Sequence, residues 1–198
     1  VSGDHDSAKI LIQKALSIYR KTKDNKGIAN AYFYLGRIND DIADVKQSIK
    51  TANDGISICK QTNDEITEAG LLFNLGFLYL RKSEYDKCKA CLKAAIELNK
   101  KNGNKLGLAE DYLFIRMPYV ETGDLPSGLM LLLKSVKLNE EVGYLIGAAY
   151  GYNGIGSLYL DLNQVTQAIF YTKKGLALSQ QSSTSKYEHV SLYQLGEQ

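Results

Sequence analysis

Proline and histidine each occur only twice in the 198 residues, there are three cysteines, and the densest apolar run is the short stretch Leu129–Leu133. Each scarcity excludes something. So few prolines leave long stretches in which no helix need break. A membrane span needs about 18 to 20 consecutive apolar residues, so membrane insertion is not expected. Three cysteines cannot build a disulfide framework, and His5 and His189 stand too far apart to share one site. The net charge is only +2, from 24 basic and 22 acidic residues that are interspersed rather than striped. Nucleic acid, which calls for a basic face, is therefore not an expected partner. What the chain does have is 44% apolar residues and many Ala, Leu, Lys, Glu and Gln, the makeup of a helix-rich soluble chain.

Those residues are periodic. Gly36, Gly76, Arg116, Gly156 and Gly196 fall 40 residues apart, each preceded by Leu or Ile. Three residues on come Asn39, Tyr79, Tyr119 and Tyr159. Two further columns admit only small residues: Ser48, Cys88, Gly128 and Ala168, then Gly55, Ala95, Ser135 and Gly175. Ile56, Ile96, Val136 and Leu176 form an apolar column beside them. A fixed period of this kind marks a stacked array whose units bury apolar faces against their neighbours. Within each unit the apolar positions lie three and four apart, predicting two amphipathic helices. Lys82-Ser83-Glu84 and Thr122-Gly123-Asp124 separate the two, with Ser2-Gly3-Asp4 in the same register. Asn63, Gly103 and Gly143 follow the second helix, where left-handed backbone is needed.

Leu-Gly in the first helix, an aromatic three residues later, Gly-Asp in the turn and small residues seven apart in the second helix resemble the tetratricopeptide repeat. HEAT and armadillo arrays have similar periods but not these columns. The resemblance implies an all-α fold, a right-handed solenoid of antiparallel helix pairs with about ten helices. It divides residues 1–198 into a half repeat at 1–22, full repeats at about 27–62, 67–102, 107–142 and 147–182, and a half repeat at 187–198. The family period is about 34 residues; the extra length is expected in the second helix and the loop after it, where Lys60, Lys100, Glu140 and Gln180 replace the family's proline. Ile10 and Leu11 near one end and Val190, Leu192 and Leu195 near the other are unlike polar caps, so the expectation is a segment of a longer, cytoplasmic protein.

No catalytic, cofactor or metal constellation is evident. Cys88 and Cys91 form a C-x-x-C, but Cys88 occupies a small column and no second pair completes a zinc site. Gly151, Gly154 and Gly156 fall inside a first helix rather than after a strand. Tyr32, Tyr112 and Tyr152 occupy core columns. What remains is surface. In tetratricopeptide arrays the first helices line the concave side. The resemblance thereby assigns a partner groove to Asn30, Phe33, Tyr34 and Arg37, to Phe73, Asn74 and Phe77, to Glu110, Phe114 and Met117, and to Tyr150 and Asn153. Only Arg37 matches the family's clamp for a terminal carboxylate. The expected ligand is therefore an apolar or amphipathic protein or peptide segment, its backbone bonded by Asn30, Asn74 and Asn153. The third repeat departs from the pattern through Arg116 at the anchor and Pro118, where a kink is expected. On its outer face Met130, Leu131 and Leu133 are expected to join Phe170 and Tyr171 in a convex patch suited to self-association. The functional expectation is a non-catalytic interaction scaffold in a signalling or regulatory protein, with a receptor for a short free signalling peptide as the alternative.

Overall fold

The computed structural model describes residues 2–38 and 45–182, and the side chains of 7–35 and 45–182. The expected final half repeat at 187–198 lies outside them. Among the described residues there are nine helices and no strand: α1 (Ser2–Thr22), α2 (Asn25–Ile38), α3 (Val45–Thr62), α4 (Glu65–Arg81), α5 (Tyr85–Lys101), α6 (Lys105–Glu121), α7 (Leu125–Glu141), α8 (Leu145–Asp161) and α9 (Val165–Gln181). This is the all-α helical-repeat solenoid class that the periodicity predicts.

From α4 to α9 every helix has 17 residues and every link three. The 40-residue period is thus two steps of 20, and the second helix of a repeat is no longer than the first, contrary to expectation. The reason lies in the links. Each described one carries a single left-handed residue, Lys23, Asn63, Ser83, Gly103, Gly123, Gly143 or Asn163, with φ between 54° and 83°. The N–H of the next residue turns back to a carbonyl five positions earlier, at 2.8 to 3.0 Å, from Asp24 to Tyr19 through Gln164 to Tyr159. That closure satisfies carbonyls which the helix end would otherwise orphan. The residue that closes one helix also opens the next. Asp24, Asp64 and Asp124 accept the N–H three residues on, from Gly27, Thr67 and Ser127, at 2.9, 3.2 and 3.1 Å. The Ser2-Gly3-Asp4 register makes no such link, because α1 already begins at Ser2. α6 runs as one helix through Pro118, whose ring is buried.

Ser83 is exposed and holds φ at 57° without being Gly or Asn. A left-handed L-residue costs about 1 kcal/mol or more, against which glycine loses some unfolded-state entropy. Ser83→Gly should therefore raise stability by about 0.5 kcal/mol, read as a higher urea midpoint at unchanged slope.

The chain divides into two compact units at the link between α5 and α6, residues 1–104 and 105–198. In the first, Leu16, Ile28, Tyr32, Leu35, Ile56, Cys59, Leu71 and Leu75 form the core. In the second it is Leu132, Val136, Tyr152, Ile155 and Leu158. All eight small-column residues are buried, and they set how closely helices approach. A Cβ at Gly55 would lie 2.9 Å from Leu71 Cδ1; one at Gly175 would collide with Asn153 Oδ1 and lie 3.1 Å from the Ala149 carbonyl oxygen. At Ser135 the hydroxyl is satisfied internally, Oγ donating to the Ala109 carbonyl at 2.7 Å.

Candidate partner-binding surfaces

In the first unit α2 packs on α4, and the candidate residues divide into two groups. Tyr34 is the most exposed, at 55%, and Phe73 and Phe77 are half-buried. These three leave aromatic surface open on the first helices. Phe33 instead lies over Gly70, where a Cβ would come within 2.5 Å of its ring, and meets Tyr34 edge-on at 5.2 Å. Asn74 corrects an expectation: it is buried, and its Nδ2 donates to the Phe33 carbonyl at 3.0 Å, so its amide ties α4 to α2 rather than awaiting a ligand. Asn30 Oδ1 accepts from the Thr67 hydroxyl at 3.4 Å. The Arg37 side chain lies outside those described.

In the second unit Glu110, Phe114 and Met117 of α6 are half-buried and Tyr150 of α8 is 40% exposed. Asn153 is a second correction. It is buried against α9, with Oδ1 filling the space that Gly175 leaves, and so does not face a ligand. Arg116 occupies the anchor column, where Gly76 lets Leu92 come within 2.9 Å of the missing Cβ. The third repeat accommodates the larger residue by moving the glycine across the helix pair. Gly128 of α7 stands where other repeats hold Ser48, Cys88 and Ala168, and a Cβ there would lie 2.7 Å from Val120. The arginine side chain is carried to α8. Its guanidinium donates to the Tyr150 hydroxyl, and Nη2 lies 3.7 Å from where a Cβ of Gly154 would be. Burial pulls the guanidinium below its ordinary range, with the Tyr150 hydroxyl opposing that pull. Its Nε is buried without a hydrogen-bond partner among the described residues. Sequence reasoning singled out Arg116 but not its reach; the accompanying glycines at 128 and 154 were the available signal.

On α7, Met130 and Leu133 are exposed beside Pro126 and Leu129, flanked by Lys134 and Lys137. Leu131 is corrected to the core side, being 8% exposed. Tyr171 is likewise drawn inward, stacked on Tyr159 at 5.4 Å and near-parallel to Tyr152 at 6.0 Å, because flat rings gain more from that contact than from water. Phe170 alone of that pair is exposed, under the Lys174 ammonium at 4.9 Å. Of the C-x-x-C pair Cys88 is buried and Cys91 packs half-buried against the core, and Cys59 is buried elsewhere; burial pushes the Cys88 thiol up to about 11, the Cys59 thiol up to about 12 and the Cys91 thiol upward. Thiols held neutral in this way are poor nucleophiles and ligands. Among the described residues, no group of His, Cys, Asp and Glu has the arrangement to hold a metal ion, and no helix is long and apolar enough to cross a membrane.

Helix pairs locked at a constant step, with aromatic surface on the first helices, define a helical-repeat protein. Two stretches match models of the tetratricopeptide repeat, residues 69–102 and 149–182, which are the second and fourth repeats of the column register. The chain is a tetratricopeptide repeat protein. Among curated proteins no sequence matches. Similar solved structures include BtubC (BKLC) from P. vanneervenii, 14% identical over 98% of this chain and 85% of that one, with a TM-score of 0.79. MamA is 21% identical over 92% of both chains, with a TM-score of 0.63. Aspartyl phosphate phosphatase F from Bacillus subtilis is 17% identical over 93% of this chain, with a TM-score of 0.82, and this chain spans 49% of it. At these identities the likeness is one of fold.

Proposed function

We propose that the chain is a non-catalytic interaction scaffold that binds an apolar or amphipathic polypeptide segment on its first helices, within a larger signalling or regulatory protein. The observation carrying this reading is the aromatic surface of Tyr34, Phe73 and Phe77 on α2 and α4. An open aromatic cluster supplies large contact area at little entropic cost, which is why such residues dominate binding energy at protein interfaces. On this face the Asn74 amide is already occupied internally by the Phe33 carbonyl, so contact falls to the aromatic surface.

A peptide array of acetylated, amidated segments would identify ligands, with affinities then measured by fluorescence anisotropy. The double variant Phe73→Ala and Phe77→Ala, and separately Tyr34→Ala, should weaken binding by at least about tenfold, the scale of an interface hot spot. Helicity at 222 nm should stay unchanged. Undiminished affinity in both variants would remove the assignment of this face.

A further inference from the structure

We propose that α7 carries a second docking surface, separate from the first-helix face, and that its occupant is an amphipathic helix with carboxylates beside its apolar stripe. An open furrow of about 420 Å³ runs along α7, lined by Pro126, Leu129, Met130, Leu133, Lys134 and Lys137. These six form two rows with a spacing of four, Pro126-Met130-Lys134 and Leu129-Leu133-Lys137, so the furrow is the groove between neighbouring ridges of one helix. Into such a groove the ridge of another helix packs. An extended segment fits less well, because a helix surface offers no sheet edge to its N–H and C=O groups, whereas a helical occupant satisfies its own.

The furrow is open to a partner, with Met130 50% and Leu133 43% exposed and Pro126, Lys134 and Lys137 exposed beside them. Its charge sets the partner's chemistry. In the same columns α3 holds Lys46, Lys50 and Asp54, and α5 holds Asp86, Lys93 and Glu97, charges of both signs as on a solvated face. In α7 apolar residues take most of those places and only lysines remain. The sequence has no acidic residue from Leu125 to Asn139, and the nearest carboxylates are engaged. Asp124 caps α7 at the Ser127 N–H, Glu140 accepts from the Tyr152 hydroxyl at 2.6 Å, and Glu141 accepts from Lys105 at 2.9 Å, with Lys137 a weaker through-space neighbour. Lys134 lies over the Tyr112 ring at 5.6 Å, a contact that positions its ammonium without neutralising it. On α9 the columns of Met130 and Lys134 hold Phe170 and Lys174, but there the ammonium lies over the phenylalanine itself. An apolar groove edged by cations alone selects a partner of opposite sign. A second copy set face to face would oppose lysine to lysine. Two lysines are also fewer than the roughly four to eight that hold a protein on an anionic bilayer.

The test uses the intact chain. Its two methionines are Met117 on α6 and Met130 on α7, so two ¹³C-methyl signals report the first helix and the furrow separately, and Met130→Leu assigns them. The probe is a synthetic acetylated and amidated helix of about four turns, with leucines three and four apart and glutamates beside them; the control carries glutamine for glutamate. The Glu probe should move the Met130 methyl to saturation, leave Met117 in place, and bind about fivefold more tightly than the control, the scale of two exposed ion pairs. Lys134→Gln with Lys137→Gln should remove that preference while keeping the control's affinity, and Leu133→Ser should weaken both probes. Helicity at 222 nm should be unchanged in these surface variants. Equal binding of the two probes overturns the proposal, as does a Met130 signal that no probe moves or a probe that moves Met117 alone. A Met130 signal that moves with chain concentration before any probe is added marks a second copy as the occupant and overturns it. One that phosphatidylglycerol vesicles broaden while the Glu probe leaves it in place marks a membrane, with the same result. The first-helix reading is decided separately, by the Tyr34, Phe73 and Phe77 variants.

Discussion

Replacing Leu71 by alanine is expected to cost about 3 to 4 kcal/mol of unfolding free energy. Leu71 has no exposed surface, and its two Cδ atoms press on α3 at the position where Gly55 has no side chain. Tyr32 closes the same space from α2. Three helices therefore meet at one side chain. Each is held by its own backbone bonds, so the hole left by truncation cannot collapse, and the cavity term adds to the lost transfer energy. Leu72 is the control: one residue on, half-buried, it should cost less than half as much when truncated. Repeat arrays need not unfold in one step. The comparison is therefore best made by native-state hydrogen exchange of the α3 and α4 amides, together with urea unfolding at 222 nm. Equal losses for Leu71→Ala and Leu72→Ala would contradict the packing described.

Gly175→Val is the second large expected effect, with the cause reversed. Nothing is removed; atoms are added where α9 meets α8. The new Cβ would run into the buried Asn153 amide and sit 3.1 Å from the Ala149 carbonyl oxygen, tighter than side chains tolerate against backbone. Asn153 has little room to retreat, being 4% exposed. Overpacking of this kind costs about 1 to 3 kcal/mol. Valine regains only a few tenths of a kcal/mol in helix propensity over glycine. A net loss of about 2 kcal/mol is expected. Ala177→Val, on the exposed side of the same helix, should change stability by about 0.5 kcal/mol or less. A thermal melt of the two variants distinguishes them, and a Gly175→Val chain as stable as the parent would mean that α8 and α9 do not approach as closely as the structure shows.

Most of the architecture was legible because it depends on short-range rules applied over and over. Asn63, Gly103, Gly143, Ser83 and Gly123 could be placed at helix ends from spacing alone, and all five have positive φ. The two small columns likewise needed only volume, and all their members are buried. Helix length escaped because no single residue marks the last turn; the closing bond from a residue back to the carbonyl five earlier does, and it is a backbone feature.

The candidate surfaces were less legible for a different reason. Column position says which way a Cα–Cβ bond points, not where the far end of a side chain finds its partner. Asn74 and Asn153 were placed toward the ligand by register, yet their amides turned inward to a carbonyl and to a glycine. Tyr171 was placed outward and stacks on Tyr159 instead. Arg116 shows the same effect at greater length, since its charge acts on a helix two further along the chain, beside Tyr150. Short apolar side chains in the core columns had no such freedom.

The left-handed links also bear on how the chain reaches its fold. Each link is closed by a bond spanning five residues, and the helix contacts are chiefly those between neighbours in sequence. Little chain entropy has to be lost before an elbow is made, since closing so short a loop takes on the order of 10 to 100 ns or less. Folding can start at whichever elbow forms first and spread in both directions, one helix at a time. Such a process waits mainly on contacts between helices adjacent in sequence, with the packing of α2 on α4 the longer-range exception, which places the chain among fast folders of low contact order.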